Sequence, residues 1–213
     1  MSIPFRFLLI SNRMMVKNRS LSQVLQEAVE GGVDAFLLRE PDLSDSVLYT
    51  VATHMRQLTR QLGIKLIVAR RVDLCLAVEA DGVHLNSESL PVAKARGLLG
   101  DGKLIGYSAH SPEEAAELAG EGVDYFTLSP IFHTRSKPMA LPLTPRAIAE
   151  VVEKTRVPVL ALGGINEAQR VEEVIDAGAS GIAVMSAVLT ATSPRDKAAE
   201  LAGGLGQLQG EEP

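Results

Sequence analysis

Two glycines, Gly163-Gly164, stand between a short apolar run, Val157 to Leu162, and Asn166, a residue type that caps helix N-termini. Glycines at a helix start leave backbone N–H groups bare, and these, with the helix dipole, attract anions. A second apolar run, Gly181 to Val184, ends at Met185-Ser186 and adds a hydroxyl to the same chemistry. Together Gly163, Gly164, Met185 and Ser186 are candidates for gripping a phosphoryl group. The glycine pair also suits a plain tight turn with no ligand. Other polar residues stand where apolar runs end: Asn12, Arg39, Arg70, Asn86, Ser108 and the loop from Ser129 to Pro138.

The elements that must hold these residues alternate. Strands are expected at Phe5–Ile10, Asp34–Arg39, Ile64–Val68, Gly82–Leu85, Leu104–Gly106, Asp124–Leu128, Val157–Leu162 and Gly181–Val184. Between them the apolar residues recur at helical spacing, as in Val171, Val174, Ile175 and Gly178, which place one face of a helix against a core. A basic loop, Arg13 to Arg19, precedes the first helix. Ser111-Pro112-Glu113-Glu114 has the form of a capping box, and Ser193-Pro194 starts a last helix. The segments GVDAFLL, EADGVHL, GVDYFTL and GASGIAV echo one another, with Asp34, Asp81, Asp124 and Ser180 at the marked position. Their spacing of about two strand–helix units predicts a single-domain α/β fold over residues 1–213, a (β/α)8 TIM barrel, with a tail at 210–213 that frays. An open doubly wound sheet is the alternative. In a barrel the candidates gather at the C-terminal rim, and phosphate sits after the seventh and eighth strands.

The 213 residues are 46% hydrophobic and carry a net charge of −5 with no basic block, which argues against a nucleic-acid partner. No apolar run approaches the roughly 18 residues of a membrane span, and the start, MSIPFRFLLIS, reads as a strand rather than a secretory signal. The lone Cys75, in an apolar helical pattern, is expected to fill core, and a reduced, cytoplasmic location fits it.

Four motifs, GYSAHSPEEA (106–115), DYFTLSPIFHTRSKP (124–138), ALGGI (161–165) and DAGASGIAVMSAVL (176–189), together with VDLCLAVEADGVHL (72–85), resemble the thiamine phosphate synthase/TenI family of thiamine biosynthesis. The resemblance implies a (β/α)8 barrel and a thiazole phosphate as small-molecule partner, held by Thr134, Ser136, Gly164 and Ser186. Arg39, Ser108 and Lys137 match positions on the pyrophosphate side of the synthase. Two activities follow from the family. One is the synthase, which joins a pyrimidine diphosphate to the thiazole phosphate with magnesium. The other is a TenI-type thiazole tautomerase, a metal-free proton transfer. A homodimer is admitted but not required.

Departures from the synthase decide the expectation. Its Gln-x-Arg-x-Lys at the second strand is Leu37, Leu38, Arg39, Glu40, Pro41 here. Its first metal-binding Asp is replaced at Ala69-Arg70, and its second falls at Ser89. Magnesium needs carboxylate oxygens, so no cofactor and no tight metal site are expected. The activity expected is therefore TenI-like proton transfer, with the synthase and a non-catalytic, regulatory phosphate-binding barrel as alternatives. The TenI-type catalytic His falls at Pro130. His133 in the same loop is the candidate proton shuttle, unless it only faces solvent, with Lys137 and Arg39 as its catalytic companions. His54 is expected at the surface, His84 as a hydrogen-bonded core residue, and His110 as a partner of backbone. No two histidines have metal-ligand spacing.

Overall fold

The structure is a computed structural model that describes residues 3–134 and 138–206. Eight short, buried strands occur: β1 (Phe7–Ile10), β2 (Ala35–Leu38), β3 (Lys65–Ala69), β4 (Gly82–Leu85), β5 (Leu104–Ala109), β6 (Tyr125–Leu128), β7 (Val159–Leu162) and β8 (Gly181–Val184). Each pairs in parallel with its sequence neighbours, and β8 returns to β1 through Phe7↔Ile182, Leu8↔Ala183 and Leu9↔Val184. That last pairing closes the barrel and excludes the open sheet. Side chains alternate across each strand. Leu8, Ile10, Leu37, Ile67, Tyr125, Leu160 and Ala183 fill the interior with Phe5. Phe7, Leu9, Phe36, Leu38, Leu66, Val83 and Phe126 face outward into the larger core beneath the helices.

The helices are α1 (Leu21–Glu30), α2 (Asp45–Leu62), α3 (Val72–Ala77), α4 (Val92–Leu99), α5 (Pro112–Leu118), α6 (Arg146–Thr155), α7 (Ala168–Asp176), α8 (Ser186–Leu189) and α9 (Pro194–Gly204). Cys75 is fully buried on α3, and that burial pushes its thiol up to about 11, as suits core filler.

The echoed aspartates mark a structural device. Asp34, just before β2, accepts the backbone N–H groups of Arg6 and Phe7, each at 2.8 Å. Asp81 before β4 accepts from Leu66 N–H at 2.9 Å, and Asp124 before β6 from Ile105 N–H at 2.7 Å. Each carboxylate thus caps the strand ahead of its own at the N-terminal face, the end of a barrel that serves stability. Asp81 and Asp124 are also paired with Arg56 and Arg96, both at 2.6 Å.

Four local expectations need correction. β5 runs to Ala109, three residues past Gly106, so Ser108 lies within the strand rather than after it. α7 starts with Glu167 at its cap, not Asn166. Ser111 caps α5 as expected, but the Glu114 carboxylate reaches one residue further back, to His110 N–H at 2.7 Å, so the reciprocal box is not formed there. Part of the basic loop, Arg13–Met15, is a 3-10 turn. It is fixed from below by the buried Glu40, which accepts from the Arg13 backbone N–H and pairs with its guanidinium at 3.0 Å. The tail 210–213 lies outside the described residues.

Candidate functional site

At the C-terminal rim the strand ends enclose a cavity of about 950 Å³. Its lining includes Asn12, Arg39, Arg70, Asn86, Ser108, Ser129, Pro130, His133, Thr134, Gly163, Gly164, Met185 and Ser186. Each strand end singled out in the sequence therefore contributes at least one described residue to one space. Arg170, which nothing in the sequence singled out, joins them. Among the described residues the wall contains three arginines and no carboxylate, although the whole chain is net acidic.

One side of the cavity is built by β7 and β8. Their pairing, Leu162↔Ala183, puts Gly163-Gly164 and Met185-Ser186 on neighbouring strand ends. Gly163 and Gly164 have φ of 101° and 73°, a region that L side chains avoid. A Cβ on Gly164 would lie 2.6 Å from the His133 carbonyl oxygen and 2.7 Å from the Phe132 Cβ. The glycines are required because the loop after β6 lies directly on them. Ile131 N–H donates to the Leu162 carbonyl at 2.9 Å and Phe132 N–H to the Gly163 carbonyl at 3.0 Å. Ser186 opens α8, a four-residue helix that the sequence did not announce, with Met185 at its cap. A short extra helix after the eighth strand is a recurrent phosphate seat in such barrels. Arg170 on α7 donates to the Gly164 carbonyl at 2.6 Å, pairs with Glu167 at 3.0 Å and stacks 5.0 Å from the Phe132 ring centre. It ties the glycine turn, the β6 loop and α7 into one unit.

The opposite side carries the other two arginines. Arg39 is exposed at the end of β2, its backbone N–H held by the buried Ser11 hydroxyl at 2.8 Å. It forms no salt bridge among the described residues, so its guanidinium faces the cavity free to meet an anion. Arg70 adopts φ 65° after β3 and pairs with Glu88 at 3.0 Å, both side chains being open to solvent. Such an exposed pair holds little free energy and releases its arginine readily.

The floor is polar and buried. His84 lies between Tyr125, 3.1 Å from its Nδ1, and Ser108, 2.9 Å from its Nε2, with Thr127 3.2 Å from the same Nε2. Burial holds its pKa down to about 3, so the ring is neutral. The expectation of a hydrogen-bonded core histidine is met.

The remaining candidates fall as follows. His133 is exposed at the mouth and Thr134 lines the wall. Ser136 and Lys137 lie outside the described residues. Ser89 is absent from the wall; its hydroxyl donates to the Asn86 side chain at 2.8 Å and accepts the Asn86 backbone N–H at 3.0 Å. His110 is bonded to the Ser129 carbonyl at 2.8 Å, and His54 is exposed beside Ser22 at 3.0 Å. Magnesium is bound through carboxylate oxygens, and none lies in the wall among the described residues. The cavity offers hydroxyls, imidazoles, amides and guanidinium groups, and the nearby Glu88 is already paired with Arg70.

Comparison with known proteins accords with this geometry. Residues 7–188 match the family described as thiamine monophosphate synthase. A thiamine-phosphate synthase of Clostridium acetobutylicum is 36% identical over 197 residues, covering 92% of this chain and 93% of the relative. A putative thiamine-phosphate synthase of Geobacter sulfurreducens is 40% identical over 200 residues, covering 93% of each chain. Among solved structures, thiamine phosphate pyrophosphorylase from Pyrococcus furiosus superposes with a TM-score of 0.84 at 32% identity, covering 94% of this chain and 95% of the other.

Proposed function

Since the chain belongs to the thiamine monophosphate synthase family, we propose that it is a thiamine-phosphate synthase, joining a thiazole phosphate to hydroxymethylpyrimidine diphosphate. The single observation that carries this is a cavity whose wall, among the described residues, has a glycine turn with Ser186 on one side, Arg39 and Arg70 on the other, and no carboxylate. The bare amides of Gly163 and Gly164, the Ser186 hydroxyl and the Thr134 side take the thiazole phosphoryl group. Arg39, Arg70 and Ser108 take the diphosphate.

The chemistry asks for this division. A bond forms between the thiazole and the pyrimidine's methylene carbon as that carbon's bond to the diphosphate oxygen breaks. Both electrons leave on the diphosphate, so negative charge grows on it in the transition state. Guanidinium groups fixed beside that charge stabilise it, and forked Arg donors match phosphate oxygens. No step here passes through a protein-held metal, because the donor set does not suit one. Any divalent ion would arrive on the diphosphate itself.

The TenI-like reading expected from the sequence departures has less support, since the relatives compared are named as synthases. Its candidate shuttle His133 reaches the cavity mouth but stands exposed, and the position matching the TenI-type His is Pro130. The test is a product assay. Pyrimidine diphosphate and thiazole phosphate should yield thiamine phosphate and pyrophosphate. If the protein instead isomerises a thiazole carboxylate phosphate and makes no coupled product, the tautomerase reading replaces this one. Binding of thiazole phosphate with neither product would make it a non-catalytic barrel.

A further inference from the structure

The hydrogen bonds at the cavity floor give Tyr125 a role that its position beneath the site does not announce. Tyr125 is fully buried inside the barrel, with Phe5 edge-on at 5.3 Å and the His84 ring beside it. The registers His84↔Gly106 and Gly106↔Tyr125 set the three residues at one level on β4, β5 and β6. Gly106 is what lets the other two meet across the middle strand. A Cβ there would collide with both Tyr125 Cζ and His84 Nδ1.

Among the described residues, the Tyr125 hydroxyl has one hydrogen-bond partner, His84 Nδ1 at 3.1 Å. A buried O–H without an acceptor is costly, so Nδ1 must accept. A neutral imidazole carries one proton, which then sits on Nε2. Nε2–H points at Ser108 Oγ, 2.9 Å away, and is shared with Thr127 Oγ1 at 3.2 Å. The fully buried Thr127 hydroxyl donates to Ser108 Oγ at 3.4 Å. Ser108 is thereby supplied with donors from below, and its own proton has no acceptor beneath it. That proton turns to the cavity. In the opposite tautomer Ser108 would donate down to Nε2 and present only lone pairs to a ligand.

We propose that Tyr125 is a positioning residue: by fixing the tautomer of His84 it makes Ser108 a hydrogen-bond donor toward the cavity, which selects ligands with anionic oxygens at that point. This rests on the anion-binding reading of the cavity given above.

The test uses the full chain labelled with 15N at histidine, with His84 assigned by loss of its signals in His84→Gln. Wild type should show an unprotonated Nδ1 and a protonated Nε2, and Tyr125→Phe should populate the second tautomer. Calorimetry with inorganic pyrophosphate gives the ligand side. If the variant holds the competent tautomer for between roughly half and a tenth of the time, the dissociation constant rises about two- to tenfold. Ser108→Ala should weaken binding by about tenfold, and adding Tyr125→Phe to it should cost nothing more. A structural fault would instead add to the loss from Ser108→Ala and would appear as a lowered melting temperature. A wild-type ring protonated on Nδ1 overturns the proposal without need of any variant. Equal pyrophosphate affinity in wild type and Tyr125→Phe overturns it while the proposed function stands. A wild type that binds no pyrophosphate removes the ligand role of Ser108 and the proposed function together.

Discussion

Acidification should destabilise this barrel through His84 in particular. An unfolded histidine titrates near 6.5, whereas in the folded chain burial brings His84 down to about 3. The unfolded chain therefore binds this proton more readily. The corresponding stability is whole above pH 6.5 and is drawn down as the pH falls from there toward 3. At about pH 5 the folded ring is still neutral while the unfolded one is charged. The loss is then roughly 1.5 pH units at about 1.36 kcal/mol each, or close to 2 kcal/mol. This magnitude is insensitive to where below 5 the folded value lies. Urea unfolding of wild type and His84→Gln at about pH 7.5 and pH 5 isolates it. The other three histidines and all carboxylates are common to both proteins, so their contributions cancel in the difference. Wild type should lose about 2 kcal/mol more than the variant between the two conditions. If both lose the same amount, His84 is not held neutral and the floor of the cavity is not as described.

Gly164→Ala forces a left-handed backbone on a residue with a side chain, at about 1–2 kcal/mol, and drives its Cβ against the His133 carbonyl. Thiazole phosphate affinity should fall at least about tenfold as the β6 loop is displaced, measured by calorimetry alongside a melting curve. Arg70→Ala should weaken pyrophosphate binding by about tenfold and leave thiazole phosphate affinity unchanged, because Arg70 and Gly164 serve opposite sides of the cavity. Asp81→Asn leaves the largely buried Arg56 without its carboxylate, and Arg56 Nε already has no partner among the described residues. Unfolding should cost about 3 kcal/mol less, with ligand affinity intact because Asp81 lies at the far end of the barrel.

The barrel itself was legible because eight apolar runs alternate with helical periodicity, and because the aspartate echo has a mechanical cause. Asp34, Asp81 and Asp124 each cap the preceding strand, so the repeat in sequence is a repeat in hydrogen bonding. The rim was legible too, since in a barrel the residue after each strand is at the rim. The cross-barrel contacts were not. Ser108 and Tyr125 lie 24 and 41 residues from His84, and nothing local marks Gly106 as the gap through which His84 and Tyr125 meet. The same holds for Arg170. In the chain it belongs to an amphipathic helix, and only the return of the β6 loop over Gly164 brings Phe132 beneath its guanidinium. Glu40 appeared as one letter of a lost motif, yet it is the buried anchor of the turn at Arg13. That the wall contains no carboxylate among the described residues depended on folding, because Glu40 and Glu88 turn to arginines instead.

The most direct measurement is a crystal structure of the full chain with thiazole phosphate bound. The phosphoryl oxygens should lie within hydrogen-bond distance of the Gly163 or Gly164 amides and the Ser186 hydroxyl, with the ring directed toward Ser108 and Arg39. A phosphoryl group seated elsewhere, or a rim left empty at saturating ligand, would contradict the function proposed for this cavity.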